Sequence, residues 1–474
     1  MKERPDPDPD ADNDQSLPLH NFDDISAPNS TDNTSFPATE NKPAQSTAFL
    51  TGLRGLAAFL VYFYHHISWF YGARDDLLFG YGQVEGRKYF GQLPFIRVFF
   101  TGGNPAVAIF FVLSGYVLSV SPLRTIRAGN LRKCYSGLIS GAVRRPFRLY
   151  IAPVGVSLVV VLSMHAPFGL KPHMVWPEPE TSFLRELVRW FWECLRLMNV
   201  FVGHKVSDHW FLYDPPAYTM PTELIGSWVL FFVLTIYSRA TEKVRLALLA
   251  VTGVVFLLTG LWTLACFMGG ACLAMADQWD HDTSPALSKL SKKVMHHATF
   301  FTGWFLLSQP GGILEIKTSY DAPGFATLTS LIPGVYYNGE YWRWWHTWGA
   351  LMLIYGVLRI SWLQRFFSSS ALQYLGRVSF CLYLIHMPLI WTLSDRIYRL
   401  FGHITQDNLV TWWDGRLEVP DWGIHGLTTR FLVAQSVITP LNILLAHLGT
   451  VVLDEPSIKI GRWVVQRLGI EKRR

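Results

Sequence analysis

Long apolar runs that carry no charge constrain this chain more than any other feature. Val154–Leu162, Leu246–Leu258 and Phe431–Leu453 contain no Asp, Glu, Lys or Arg. Runs of that character are solvated by lipid, because a soluble domain must alternate apolar and polar residues to keep one face of each element in water. Composition agrees: 50% of the 474 residues are hydrophobic and 16% are charged, against about 25% charged in an ordinary soluble domain.

A hydrocarbon core needs roughly 20 apolar residues per helical crossing. Ten spans meet that reading, near 50–70, 103–121, 147–165, 221–238, 244–260, 262–277, 298–314, 345–361, 377–394 and 427–453. The expected fold is an all-α membrane protein with about ten transmembrane helices. The fifth and sixth spans could also form one re-entrant pair, and Pro310-Gly311-Gly312 interrupts the seventh near its end.

Orientation follows from the basic residues. Residues 1–50 hold ten acids against Lys2, Arg4 and Lys42, a net of −7, which leaves +13 on the rest of a chain whose total is +6. Those bases gather in short connections: Arg124 to Arg145, Arg239 to Arg245, Lys289 to Lys293, Arg359 to Arg377, and Lys459 to Arg474. All five fall on one side if the even-numbered connections are cytoplasmic, which makes both termini cytoplasmic. The long connections 166–220, 315–344 and 395–426 then share the opposite face. There is no continuous basic surface, so no nucleic-acid partner is expected; the expected surroundings are a lipid bilayer, endomembrane or plasma membrane alike.

Residues 1–46 are rich in Asp, Pro, Ser, Thr and Asn, which predicts a disordered acidic cytoplasmic tail. Residues 47–465 form the transmembrane domain and 466–474 a basic cytoplasmic tail. Within the longest outer connection, Phe183, Leu184, Leu187, Val188, Phe191, Trp192 and Leu195 recur at steps of three and four. This pattern predicts a helix lying in the interface, with Arg185, Glu186, Arg189 and Glu193 facing water. Five scattered cysteines (134, 194, 266, 272 and 381) lack a CxxC pair, and His204, Asp208 and His209 are too few to make a metal site, so neither disulfides nor a metal is expected.

Polar residues inside apolar helices are costly and mark candidate sites. Arg54 and His65 lie eleven residues apart, which returns to within about 20° of one helix face, about 16 Å along the axis. His66 points about 100° away. Ser114 sits in Phe110-Phe111-Val112-Leu113-Ser114-Gly115-Tyr116, where small residues also serve close helix packing. Arg145 and Arg148 are three apart in Arg144-Arg145-Pro146-Phe147-Arg148, a spacing that suits a fork for phosphate oxygens as well as an interfacial anchor. Glu223, in Tyr218-Thr219-Met220-Pro221-Thr222-Glu223, opens the fourth span, either complementing the helix dipole or steadying an imidazole.

Taken together, these segments resemble the acyltransferase 3 family of multi-pass membrane O-acyltransferases, its fungal members in particular. Arg54 and His65 match its Arg-x10-His pattern, Phe110 to Tyr116 its FF-x-x-SGY segment, and Arg145 with Arg148 its R-x-x-R pattern. Glu223 matches the acid of W-[ST]-L-x-x-E, while Tyr218 and Met220 depart from the usual Trp and Leu. Leu375 to Pro388, which includes His386, resembles the penultimate helix, and Asp454-Glu455-Pro456 the terminal signature. The resemblance covers roughly residues 48–465.

It implies a cytoplasmic acyl-CoA donor, acetyl-CoA foremost, and an acceptor hydroxyl on a sugar or small metabolite, with no bound cofactor. Arg54, Arg145, Arg148 and Ser114 would line the donor site. His65 would act as general base or transient acyl carrier, with Glu223 supporting it. The alternative is a proton-coupled transporter built on the same buried Arg, His and Glu.

Overall fold

The computed structural model describes residues 47–470 apart from 73–74, 84, 167–176, 202–208, 280–288, 312–315, 321, 338 and 405–410. The expectations for the acidic tail, for the end of the basic tail and for His204 and Asp208 therefore lie outside the described residues.

Helices carry the fold: α1 (Ala48–Tyr71), α2 (Gly103–Arg127), α3 (Leu131–Met164), α4 (Phe183–Met198), α5 (Thr219–Tyr237), α6 (Glu242–Leu258), α7 (Trp262–Trp279), α8 (Lys289–Leu307), α9 (Arg343–Arg359), α10 (Ser370–Leu389), α11 (Thr429–Gly449) and α12 (Glu455–Arg467). Among the described residues the only strands are Gly423–Ile424 and Leu427–Thr428, a two-residue antiparallel pair. All of these helices except α4 and α12 sit at the ten positions where the apolar runs lie.

Among the described residues five stretches are long and apolar enough to cross a membrane: 103–127, 131–164, 215–237, 370–400 and 429–467. A sixth is added if α9 and the short helix Ser361–Phe367, bent by 97° at their junction, count together. This is a membrane protein, with five to six spans by that measure rather than ten. The shortfall has physical causes. At 17 residues each, α6 and α9 reach about 26 Å, below the ~30 Å hydrocarbon thickness. Polar residues interrupt the others: Asp277 and Gln278 in α7, Lys289, Lys292 and Lys293 in α8, and Arg54, His65 and His66 in α1.

Two boundaries differ from expectation. The third helix begins at Leu131 rather than near 147, because the Asn130 side chain caps it by accepting from the Lys133 amide at 3.0 Å. Arg145 and Arg148 thus lie inside a 34-residue helix rather than at its mouth. The seventh ends at Leu307, before Pro310, which cannot supply the next amide donor.

Helix α4 forms where the periodicity placed it, and Leu184, Val188, Phe191, Trp192 and Leu195 are exposed along it, the face an interface would cover. Glu186, however, does not face water: it is fully buried. Its carboxylate accepts from the Tyr213 hydroxyl at 2.5 Å, from Arg189 at 2.6 Å and from the Glu180 amide at 2.6 Å. A buried carboxylate is tolerated when its lone pairs are satisfied in this way.

Glycine sets the tightest helix contacts. A Cβ on Gly55 of α1 would lie 2.4 Å from the Gly376 amide nitrogen of α10, and one on Gly376 would lie 2.3 Å from the Thr51 carbonyl oxygen. Gly115 of α2 and Gly270 of α7 interlock likewise, at 2.3 Å from the Phe267 and Val112 carbonyl oxygens. Small residues permit such approach between membrane helices.

Candidate active site

The first site element is cationic. The Arg54 guanidinium donates from Nη2 to the Gly376 carbonyl at 2.5 Å, so the glycine contact between α1 and α10 also positions this side chain. Arg145 donates from Nη2 to Glu223 Oε1, and both side chains are more than four-fifths buried. Arg148 lies 3.8 Å from Asp454, at the end of the π-helical turn Thr450–Asp454 that joins α11 to α12. Electrostatics couples Arg54 to both Arg148 and Asp454, and Arg145 to Arg148. Three guanidiniums and two carboxylates thus converge from α1, α3, α5 and the α11–α12 turn, leaving a surplus positive charge. Guanidinium forks of this kind suit phosphate oxygens.

The second element is imidazole. His65 is half-buried and its ring lies tilted against those of Tyr64 and His386, each centroid 4.9 Å away. His66 behaves differently. Fully buried, it meets the Tyr398 hydroxyl at 2.8 Å through Nδ1 and the Asn442 amide at 3.5 Å through Nε2, with the Tyr62 ring at 4.3 Å. The two neighbours therefore occupy separate faces, His66 in a closed polar network and His65 on the stripe shared with Arg54. Among the described residues no hydrogen bond joins Glu223 to His65, since the Glu223 carboxylate is engaged by Arg145.

Ser114 is half-buried and has no hydrogen-bond partner among the described residues. Its motif neighbours have evident structural work: Gly115 admits α7, and the Tyr116 hydroxyl donates to Asp277 at 2.9 Å, which also binds Arg359 at 2.6 Å.

His386, within the segment that resembles the penultimate helix, has no role assigned by its sequence motif. It is fully buried, its Nδ1 lies 2.6 Å from the Tyr383 carbonyl, and its Nε2 has no partner. The signal that singled out His65, an imidazole inside an apolar helix, was equally present here. A turn earlier in α10, the Tyr383 hydroxyl meets Thr219 at 3.2 Å and tethers α5.

Beyond the C-terminal end of α1, Tyr71, Asp75, Asp76, Arg87, Tyr89 and His425 line an open cleft. His425 Nε2 meets both Asp75 carboxylate oxygens at 2.9 Å, between the rings of Tyr71 and Tyr89.

The family model for the acyltransferase domain, Acyl_transf_3, matches residues 47–419. This chain belongs to the acyltransferase 3 family. Family membership makes it a transferase of acyl groups other than amino-acyl groups. Among curated proteins it is similar to O-acetyltransferase PaAT-1 of Phomopsis amygdali, 29% identical over 463 residues covering 90% of this chain and 86% of the relative. It is also similar to acyltransferase clz18 of Cochliobolus lunatus, 24% identical over 425 residues covering 76% and 86%. Acyltransferase R4 of a Phoma species is 23% identical over 417 residues covering 75% and 85%. No solved structure matches the chain significantly. The matched region takes in the arginines, Glu223 and both site histidines, while Asp454-Glu455-Pro456 lies beyond it.

Proposed function

We propose that this acyltransferase moves an acetyl group from cytoplasmic acetyl-CoA to a hydroxyl of a sugar or small metabolite, with the chemistry inside the bilayer. One observation carries the reading: guanidiniums from α1 and α3 lie within electrostatic reach of one another, and α1 itself carries His65 eleven residues further on. Arg145, Arg148 and Arg54 hold the CoA phosphates, and the pantetheine arm follows the α1 stripe to bring the thioester to His65. There His65 removes the acceptor's proton during attack, or carries the acyl group itself. Glu223 keeps Arg145 oriented for phosphate. The acceptor arrives through the cleft between Tyr71, Tyr89 and His425, six residues or about 9 Å beyond His65 along α1. The name of PaAT-1 supports acetyl as the transferred group.

In this reading all ten helices at the apolar runs cross the bilayer and both termini are cytoplasmic. Asn29 and Asn33, which head glycosylation sequons, then stay unmodified; glycan on either would reverse the orientation. The activity itself is tested with purified protein in detergent and acetyl-CoA, assaying CoA release together with metabolites that lose an acetyl group in a deletion strain. Detergent removes the two compartments a transporter needs, so turnover under these conditions separates the enzyme from the transport alternative.

A further inference from the structure

Helices α1 and α10 touch twice in matching register. Gly55 meets Gly376 at one end, and ten residues along each helix His65 meets His386. The two imidazoles are side by side, with ring planes inclined at 35°, yet their surroundings differ. A carbonyl oxygen can only accept a hydrogen bond, so the 2.6 Å contact to Tyr383 fixes the His386 proton on Nδ1. Nε2 then presents a lone pair, and that atom is fully buried without a partner. A buried acceptor left unsatisfied is costly, and such atoms in a native fold call for a functional partner. A backbone-anchored imidazole with its other nitrogen bare is the arrangement a general base requires.

We propose that His386 is a second catalytic imidazole, receiving the acceptor's proton through Nε2 while His65 carries the acyl group. This rests on the acetyl-CoA reading above and divides its chemistry into two halves. In the first, a His65 ring nitrogen attacks the thioester carbonyl: a C–N bond forms, the C–S bond breaks, and CoA leaves as thiolate. In the second, the acceptor hydroxyl gives its proton to His386 Nε2 as its oxygen attacks the acyl carbon. A C–O bond forms, the C–N bond breaks, and His65 is restored. The proton on His386 leaves through solvent to the thiolate, so the sum is acyl ester plus CoA thiol.

The test uses purified full-length protein, acetyl-CoA, labelled CoA and two simple nucleophiles, water and hydroxylamine. His386→Asn is the informative variant, because its amide can still donate to the Tyr383 carbonyl while Nε2 is removed. Exchange of labelled CoA into acetyl-CoA without acceptor should proceed in the wild type and in His386→Asn, and vanish in His65→Ala. Hydrolysis should fall at least about 100-fold in His386→Asn, the scale of general-base loss. Capture of the acyl group as a hydroxamate should persist, since neutral hydroxylamine needs no base. Equal loss of exchange, hydrolysis and capture would make His386 a packing residue. Hydrolysis within about threefold of wild type would remove it from proton transfer. Acetyl transfer without any exchange in the wild type would overturn the acyl-His65 step alone, whereas neither transfer nor exchange would overturn the acetyl-CoA reading with it.

Discussion

Glu223 accepts a hydrogen bond from Arg145 across 78 positions of sequence, which ties α5 to α3 in the interior of the protein. A buried ion pair pays a desolvation cost that an uncharged pair avoids, and breaking it leaves a buried charge behind. In the proposed site this carboxylate therefore acts on the donor's phosphates, through Arg145, rather than on the imidazole.

That relationship has a kinetic signature. Glu223→Gln should raise KM for acetyl-CoA several-fold with a smaller change in kcat, since phosphate contacts are shared by ground and transition states. A fall in kcat with KM unchanged would return Glu223 to the reacting centre. Steady-state rates over a range of donor concentrations decide between them.

Arg148 should behave as a phosphate ligand held loosely by Asp454, at 3.8 Å. Arg148→Ala should raise the donor requirement about tenfold or more and lower saturated turnover less. Arg148→Lys should recover only part of the loss, because an ammonium lacks the planar fork. Unaltered donor dependence in both variants would move the CoA site elsewhere.

The neighbouring histidines should separate activity from stability. His65→Ala should cut transfer by about 10²–10⁴-fold with protein yield intact. His66→Ala instead strips partners from Tyr398 and Asn442 in a buried network, at a cost of about 1–3 kcal/mol. It should therefore lower the melting temperature while leaving most of the activity of each folded molecule. Reversed effects would exchange the two assignments.

Acid sensitivity should trace to Asp414, in the connection before α11. Burial pushes its carboxyl up, but bonds from Arg399 at 2.9 and 2.7 Å and from Thr411 outweigh this and hold it at about 2, against an ordinary 3.8. The stabilisation is complete above the unfolded value and is lost as pH falls from about 4 toward about 2. Asp414→Asn should destabilise the protein near neutral pH, because it leaves the buried Arg399 guanidinium without its carboxylate partner, and should flatten this acid limb. Thermal unfolding in detergent between pH 5 and 2.5 reads both effects; an unchanged slope would place the acid sensitivity in another group.

Local pattern carried much of this architecture. Apolar runs located the helices, and the 100° turn per residue put Arg54 and His65 on one face and His66 on another. The failures have two kinds of cause, an unrecognised local cap and partners brought in from elsewhere in the chain. The segment 131–146 reads as a basic connection, yet Lys and Arg are good helix formers and one asparagine cap extends α3 through it. Periodicity turns every charge on an amphipathic helix outward, so Glu186 looked solvated. Its buried setting depends on Tyr213 and the Glu180 amide, which no spacing rule links to it. Spacing likewise gave no sign that the Glu223 carboxylate accepts a hydrogen bond from Arg145.

The contact between Gly55 and Gly376 leaves no space for even one methyl group, while the cleft around Tyr71, Tyr89 and His425 is framed by connecting loops. Tolerance to change is thus distributed unevenly along the molecule. If the acceptor enters through that cleft, as proposed, an effort to retarget the acyltransferase should vary its lining at Asp76, Arg87, Tyr89 and His425 and leave the glycine seam untouched. Libraries that vary the seam will mostly return inactive protein, because the same backbone contact that joins two helices also fixes where Arg54 points.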